Sequence, residues 1–314
     1  MTTKPDVLVI VPSRPAQMKI LKETYSLHRH DQADDPDALL DDVGSKIRAV
    51  VTMGFKGFTK EMLDRLPNLE IVAVGSVGYD SIDVESCRAH GVPVTNTPDV
   101  LTNDVADHAM ALTYATLRGF CRGERWVREG RWRDDGDMPL TTTVTAKKMG
   151  IIGFGRIGKA IAARARAFEM EIAYHGRRKQ PDVSVPYFDD PVSLAKDCDV
   201  LMLACPGGEE TRNLVSRDVL EALGPDGCLV NISRGSVVDE PVLLEFLQQD
   251  RIAGAALDVF NNEPKIDETF FTLENVVLQP HCASATVETR GAMSQLVVDN
   301  LAAHFSKKPL LTPV

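Results

Sequence analysis

The feature that most constrains this chain is the hexapeptide Gly153-Phe154-Gly155-Arg156-Ile157-Gly158, set between an apolar run, MGIIGF, and a helical pattern, RIGKAIAARARAF. A strand that turns sharply into a helix needs a residue free to take unusual backbone angles, and Gly153 supplies it. Gly155 lets the backbone approach a pyrophosphate, and Gly158 lets helix and strand pack closely. The helix N-terminus then offers unpaired N–H groups and the positive end of its dipole to the phosphates. A glycine turn that binds nothing is the bland alternative. The strand before and the helix after weigh against it and predict a dinucleotide site, with Phe154, Gly155, Arg156 and Ile157 at the pyrophosphate.

The next strand decides between the two nicotinamide dinucleotides. An NAD site places an acid about 20 residues on, to hold the ribose hydroxyls. Here the strand ends Tyr174-His175-Gly176-Arg177-Arg178-Lys179, with no acid. Arg177 and Arg178 suit a 2′-phosphate, because guanidinium binds phosphate through paired hydrogen bonds. The alternative is a solvated basic turn. NADP(H) is therefore the expected cofactor, with NAD(H) as the second.

The rest of the chain extends the same pattern. Before the motif, Val7–Val11, Ala49–Thr52, Ile71–Val74 and Val92–Thr95 read as strands, with helical segments such as Lys60–Leu66 and Asp83–His90 between them. Strand–helix alternation implies parallel sheets covered by helices. Ala106–Leu117 is a strongly apolar helix, and the polar stretch 121–147 breaks the alternation as an arm or connection. From Lys148, strands at Gly150–Phe154, Ile172–Tyr174, Val200–Ala204, Cys228–Ile232, Gly254–Val259 and Val276–Leu278 match a two-halved dinucleotide-binding sheet. The tail from Thr286 reads as a long amphipathic helix that returns to the first domain.

Composition narrows the partners. With 314 residues, one large or two smaller domains are expected. A net charge of −10 argues against nucleic acid and anionic membranes, while leaving room for local arginines around an anionic substrate. No apolar run is long enough to span a membrane, and the N-terminal run reads as a buried strand rather than a signal peptide. Six cysteines without CxxC spacing look like reduced, buried thiols of a cytoplasmic protein, and no metal site is expected.

In open parallel sheets, ligands bind at the carboxyl ends of the strands. Those ends carry Ser233-Arg234-Gly235, then Asp258 followed by Phe260-Asn261-Asn262-Glu263-Pro264, then Gln279-Pro280-His281. An arginine clamps a carboxylate, a histidine donates a proton near neutral pH, and a nearby carboxylate orients it. An aspartate can accept from a nicotinamide carboxamide. The bland alternatives are a surface arginine for Arg234 and a hydrogen-bonded core histidine for His281, while Glu263 judged alone reads as a solvated loop acid. Beside a nucleotide motif, all three read as functional. His28 and His30 lie in a polar stretch, His90 and His304 near helix ends, and His108 reads as a satisfied core histidine.

At this point the chain resembles the D-isomer-specific 2-hydroxyacid dehydrogenases, and among them the glyoxylate, hydroxypyruvate and hydroxyphenylpyruvate reductases. The resemblance rests on Leu66-Pro67-Asn68-Leu69-Glu70-Ile71, Ser76-Val77-Gly78-Tyr79-Asp80-Ser81-Ile82-Asp83 and Thr95-Asn96-Thr97-Pro98-Asp99-Val100-Leu101-Thr102. Val105-Ala106-Asp107, the glycine loop, Asn231-Ile232-Ser233-Arg234-Gly235, Leu257-Asp258-Val259-Phe260, Glu263-Pro264 and Pro280-His281 complete it. It implies an α/β protein of two doubly wound parallel-sheet domains, a Rossmann cofactor domain (101–284) inserted into a flavodoxin-like substrate domain (1–100 and 285–314), with the active site in the cleft between them.

By position, the resemblance makes His281 the proton donor and Glu263 its carboxylate partner. Arg234 and the backbone N–H groups of Val77 and Gly78 would hold the substrate. Gly176, Arg177 and Arg178 would take the 2′-phosphate, and Ile232 and Asp258 would lie near the nicotinamide. The pattern departs at Asn261, where an acid is usual, and at Ala283, where glycine is common. The family is usually dimeric, with an arm near 101–140. Trp132 in that arm is either an aromatic lent to the partner's substrate pocket or a plain interface or core residue. Met53, Gly54 and the arm shape the side-chain pocket without ranking glyoxylate, hydroxypyruvate and aromatic oxo acids. A nucleotide-sensing binding protein and another dehydrogenase of the family, such as one acting on phosphoglycerate, are the competing readings.

Overall fold

A computed structural model describes residues 4–314. The chain divides into two compact units, Met1–Leu101 with Ala285–Val314, and Thr102–Ser284.

The first unit is built on β1 (Asp6–Val9), β2 (Ser26–Arg29), β3 (Ile47–Thr52), β4 (Ile71–Val74) and β5 (Val94–Thr95). They form a five-stranded parallel sheet in the order β2-β1-β3-β4-β5. The central strands are apolar on both faces, as a sheet covered by helices on two sides requires. One face packs Leu8, Val50, Val72 and Val94 into a core, and the other packs Val7, Ala49, Ile71 and Ala73. The connections are α1 (Pro15–Thr24), α2 (Pro36–Val43), α3 (Lys60–Asp64) and α4 (Val84–Ala89). Thr59 and Asp83 cap α3 and α4 by accepting from Met62 N and Ser86 N. β2 is a strand that the sequence does not signal. Ser-Leu-His-Arg lies at the sheet edge with no buried residue, so nothing apolar marks it.

The second unit opens with α5 (Thr102–Leu117), α6 (Phe120–Arg128) and α7 (Arg131–Asp134). The polar stretch is thus partly helical. Only Trp126 of α6 is buried, under the Arg131 guanidinium 3.7 Å from its ring centroid, which leaves no apolar period to read. Alternation resumes with β6 (Lys148–Ile152), α8 (Arg156–Ala167), β7 (Glu171–His175), β8 (Tyr187–Phe188), α9 (Pro191–Lys196) and β9 (Val200–Leu203). It ends with α10 (Arg217–Leu223), β10 (Cys228–Asn231), α11 (Glu240–Gln248), β11 (Gly254–Leu257) and β12 (Val276–Leu278). The sheet has seven strands rather than six, in the order β12-β11-β10-β9-β6-β7-β8. The extra one, β8, is a two-residue edge strand.

The chain then returns to the first unit as α12 (Val287–Phe305), capped by Thr286 and packed on α1 and β4 through Val297, Val298 and Leu301. All six cysteines are free, but they are not uniformly buried. Cys87, Cys198 and Cys228 are, whereas Cys121 is exposed and Cys205 and Cys282 are half-buried. Burial pushes the Cys198 thiol up to about 12 and those of Cys87 and Cys228 up to about 11. Among the described residues, no helix is long and apolar enough to cross a membrane.

Candidate active site

The last three strands of the larger sheet end at one level, because Asn231 pairs with Leu257 and Leu257 with Leu278. That register sets the positions of Arg234, Asp258 and His281. After β10, the Asn231 side chain shapes the turn by accepting from Ser233 N (3.0 Å) and donating to Arg234 O (3.0 Å). Arg234 is half-buried, and its guanidinium donates to Ser233 O at 2.7 Å.

Asp258 directly follows β11 and is 1 % exposed. Its backbone carbonyl accepts from His281 N at 2.8 Å, and its carboxylate oxygens accept from Cys282 N (2.8 Å) and Ala283 N (2.9 Å). Asp258 therefore clamps the turn that carries His281, a residue in the left-handed region (φ 52°) that a side chain occupies only when its surroundings enforce it. Burial alone would raise the Asp258 carboxyl. The nearby His108 and the two N–H groups outweigh burial and hold it below the ordinary range. His108 Nε2 lies 3.6 Å from Asp258 Oδ1, too far for a hydrogen bond, and has no other partner. His108 is thus not the satisfied core histidine that its helix suggested.

His281 Nδ1 and Glu263 Oε2 are 2.7 Å apart, and Glu263 Oε1 accepts from Phe260 N at 2.8 Å. Partial burial pushes the Glu263 carboxyl up. The His281 and Phe260 hydrogen bonds, with the charges of His281 and Arg234, more than offset this and lower it. An ionised Glu263 accepts, so Nδ1 carries the hydrogen. Nε2 is then the atom left to exchange a proton with a ligand, and the side chain is 40 % exposed. Arg234, Glu263 and His281 thus form one electrostatic group.

At the other half of the sheet, Gly153 takes φ 95° and donates to His175 O at 2.9 Å. A Cβ on Gly158 would sit 2.2 Å from Gly153 O, so helix and loop touch backbone to backbone. A Cβ on Gly155 would meet nothing within 4 Å. The N–H groups of Phe154 and Gly155 have no acceptor among the described residues. The opening, the free donors and the start of α8 fit a pyrophosphate. Arg156 at the first position of α8 is exposed and Ile157 half-buried. Past β7, Gly176 is half-buried and accepts from the Tyr187 hydroxyl at 3.2 Å. Arg177 and Arg178 are exposed and make no ion pair among the described residues, leaving both for a phosphate. Ile232, beyond β10, is 8 % exposed.

Gln180 has no sequence signal, yet it links these two loops. Its side chain donates to Phe154 O (2.8 Å) and its N–H to the Tyr174 hydroxyl (2.8 Å), while Tyr174 stacks on Phe154 at 4.6 Å. In the first unit, the Ser76 hydroxyl accepts from Gly54 N (2.8 Å) and donates to Gly78 O (2.8 Å). Asn96 Nδ2 donates to Val77 O at 2.9 Å. These bonds leave the N–H groups of Val77 and Gly78 without an acceptor among the described residues, a cradle for an anion.

Comparison with known proteins agrees with this geometry. The family model for the NAD binding domain of D-isomer specific 2-hydroxyacid dehydrogenases matches residues 110–283. Glyoxylate/hydroxypyruvate reductase A of Arabidopsis thaliana is 49% identical over 98% of each chain. The 2-ketogluconate reductase of Gluconobacter oxydans is 47% identical over 100% of each. The structure of an NADPH-dependent glyoxylate/hydroxypyruvate reductase from Sinorhizobium meliloti, in complex with NADP and malonate, superposes with a TM-score of 0.91 at 42% identity, covering 99% of this chain and 97% of that one. Motif, sheet order and overall likeness agree, and the chain belongs to the D-isomer specific 2-hydroxyacid dehydrogenases.

Proposed function

We propose that the protein is an NADPH-preferring reductase of small 2-oxo acids, giving D-2-hydroxy acids, and that it works as a cytoplasmic homodimer. The observation that carries the reading is the 2.7 Å His281–Glu263 pair beside Arg234 at strand ends held in register. The relatives named for glyoxylate and hydroxypyruvate reduction support the substrate class. The acid-free turn at Arg177 and Arg178 and the NADP-bound relative support the cofactor choice. The exposed Phe120, Val127, Trp132 and Leu140 on and beside the α6–α7 arm support pairing with a second copy. Six free thiols suit a reducing compartment.

Phe154, Gly155, Arg156 and Ile157 hold the pyrophosphate in this reading. Gly176, Arg177 and Arg178 hold the 2′-phosphate, and Ile232 and Asp258 border the nicotinamide. The bound cofactor supplies the hydride received by the carbonyl carbon. Arg234 pairs with the substrate carboxylate and polarises the carbonyl, while the N–H groups of Val77 and Gly78 fix the carboxylate's other side. His281 Nε2 gives its proton to the carbonyl oxygen as negative charge develops there. Glu263 holds the imidazolium in place and stabilises its charge.

The test is the absorbance of reduced nicotinamide followed with glyoxylate, hydroxypyruvate, hydroxyphenylpyruvate and pyruvate, each with NADPH and NADH. Turnover favouring NADPH is the expected result. Tight NADPH binding with no turnover of any oxo acid would replace this reading with nucleotide sensing.

A further inference from the structure

Two loops of the second unit carry the groups assigned to the cofactor's phosphates, and three contacts tie them together. Gly153 N donates to His175 O at 2.9 Å, the Phe154 ring stacks on Tyr174 at 4.6 Å, and Gln180 Nε2 donates to Phe154 O at 2.8 Å. The first two lie at the ends of β6 and β7, which pair directly and hold them in place. The third reaches back from beyond Arg177 and Arg178, and no role assigned above uses it.

A trans peptide group is planar, with its C=O and N–H on opposite sides. The oxygen that Gln180 holds belongs to the peptide whose other end is the Gly155 N–H, one of the two donors open to a pyrophosphate. Gln180 therefore sets the direction of that N–H, which aims away from it. The local sequence makes such a hold necessary. Phe154 lies between two glycines, the residues with the most backbone freedom to lose. A Cβ on Gly155 would meet nothing within 4 Å, and no side chain caps the start of α8.

Gln180 also closes the arginine turn. Its N–H donates to the hydroxyl of the fully buried Tyr174 at 2.8 Å. At the other end of the turn, Gly176 O accepts from the Tyr187 hydroxyl at 3.2 Å, and the Tyr187 ring packs on Tyr174 with centroids 5.2 Å apart. Arg177, Arg178 and Lys179 stand exposed between these two fixed points. Fixing both ends in advance lowers the ordering cost of closing two guanidinium groups on a phosphate.

We infer that Gln180 is a positioning residue for the cofactor: it ties the Arg177–Arg178 turn to the Phe154–Gly155 peptide, so that the 2′-phosphate and the pyrophosphate bind as one unit. The inference rests on the reading of this unit as an NADPH site and names a residue that sets the preference for NADPH over NADH.

Gln180→Met keeps the length of the side chain and removes the donor. Affinities for NADPH and NADH, from fluorescence titration, should fall about tenfold and about threefold, the order of one or two neutral hydrogen bonds, so the preference for NADPH drops about threefold. At saturating NADPH, kcat should stay within about twofold, because His281 and Glu263 are untouched. Arg178→Ala should weaken NADPH binding about tenfold in the native protein and about threefold in the Gln180→Met background, a non-additivity that independent contacts do not show. Tyr174→Phe keeps the ring and removes the acceptor of the Gln180 N–H. It should lower the preference in the same direction, and it carries the test if Gln180→Met does not fold. An unchanged NADPH-to-NADH ratio in both variants, or additive losses for Arg178 and Gln180, overturns the inference. So does a lowered melting temperature with equal losses for the two dinucleotides, the mark of a purely structural role. If the native protein binds NADH as tightly as NADPH, the 2′-phosphate reading fails instead. Gln180 is then read with NADH against adenosine: a loss for NADH alone supports its hold on the Gly155 N–H, and equal changes refute it.

Discussion

Replacing Glu263 with glutamine keeps the shape of the side chain and changes what its two ends can do. Glu263 now accepts from two donors, Phe260 N at 2.8 Å and His281 Nδ1 at 2.7 Å. A glutamine has one acceptor oxygen, so its NH₂ must face one of those donors. If it faces His281, the ring must present a bare Nδ1, and the imidazolium loses its partner. If it faces Phe260, a partly buried N–H goes unpaired. A hydrogen bond to a charged group contributes about 1.5–3 kcal/mol. At 1.36 kcal/mol per tenfold, E263Q should lower kcat by about tenfold to about 150-fold. Steady-state rates at saturating NADPH, over a range of pH with glyoxylate or hydroxypyruvate, measure the effect. NADPH affinity, measured separately by fluorescence titration, should change little. A kcat within about twofold of the native value at every pH would refute the role of the pair.

Three further outcomes follow from the same geometry. Arg177→Ala should raise KM for NADPH about tenfold or more beyond any change for NADH, as loss of a charge-assisted phosphate contact implies; equal effects would remove the basis for the cofactor preference. Asp258→Asn can satisfy only one of the Cys282 and Ala283 N–H groups, so urea unfolding at neutral pH should show a loss of about 1–3 kcal/mol. Because the folded Asp258 carboxyl lies below its unfolded value, its contribution is present above about pH 4 and is lost as pH falls through the folded value. The gap between native protein and D258N should therefore close on acidification, and a gap that widens would contradict the assignment. Gly158→Ala forces a Cβ to 2.2 Å from a backbone oxygen and should lower the melting temperature, whereas Gly155→Ala meets nothing within 4 Å and should fold normally while losing NADPH affinity. The reverse ranking would show that the loop does not approach a pyrophosphate.

Much of the architecture was legible because buried parallel strands are written as short apolar runs, and their ends mark where ligands gather. The apolar runs Ile71–Val74 and Val276–Leu278 coincide with β4 and β12 to the residue. What the sequence hides has no apolar signature. β2 and β8 are edge strands held by backbone hydrogen bonds with one neighbour each, and the polar arm conceals two short helices anchored by one tryptophan. In the candidate site, the pairing of Glu263 with His281 comes from the family resemblance, and residue types alone say only that a carboxylate near the histidine would orient it. The use of Asp258 as a clamp has no such signal, since its partners are the N–H groups of Cys282 and Ala283, which carry no side-chain code. Gln180 is invisible for the same reason: it acts on the carbonyl of Phe154.

The course of the chain also bears on how the protein is made. The first unit begins at the N-terminus, but one face of its sheet is covered by Val297, Val298 and Leu301 of the tail helix. Val314, beyond that helix, donates to Val94 O at 2.9 Å. On the ribosome, the residues of β1, β3 and β4 emerge with Val7, Ala49, Ile71 and Ala73 uncovered, and they wait until Val297, Val298 and Leu301 have followed. The second unit is continuous and can close as soon as β12 is complete. Synthesis therefore finishes the later unit before the earlier one, leaving an apolar sheet face open during translation, the stage at which such a chain is most exposed to aggregation and to chaperone capture.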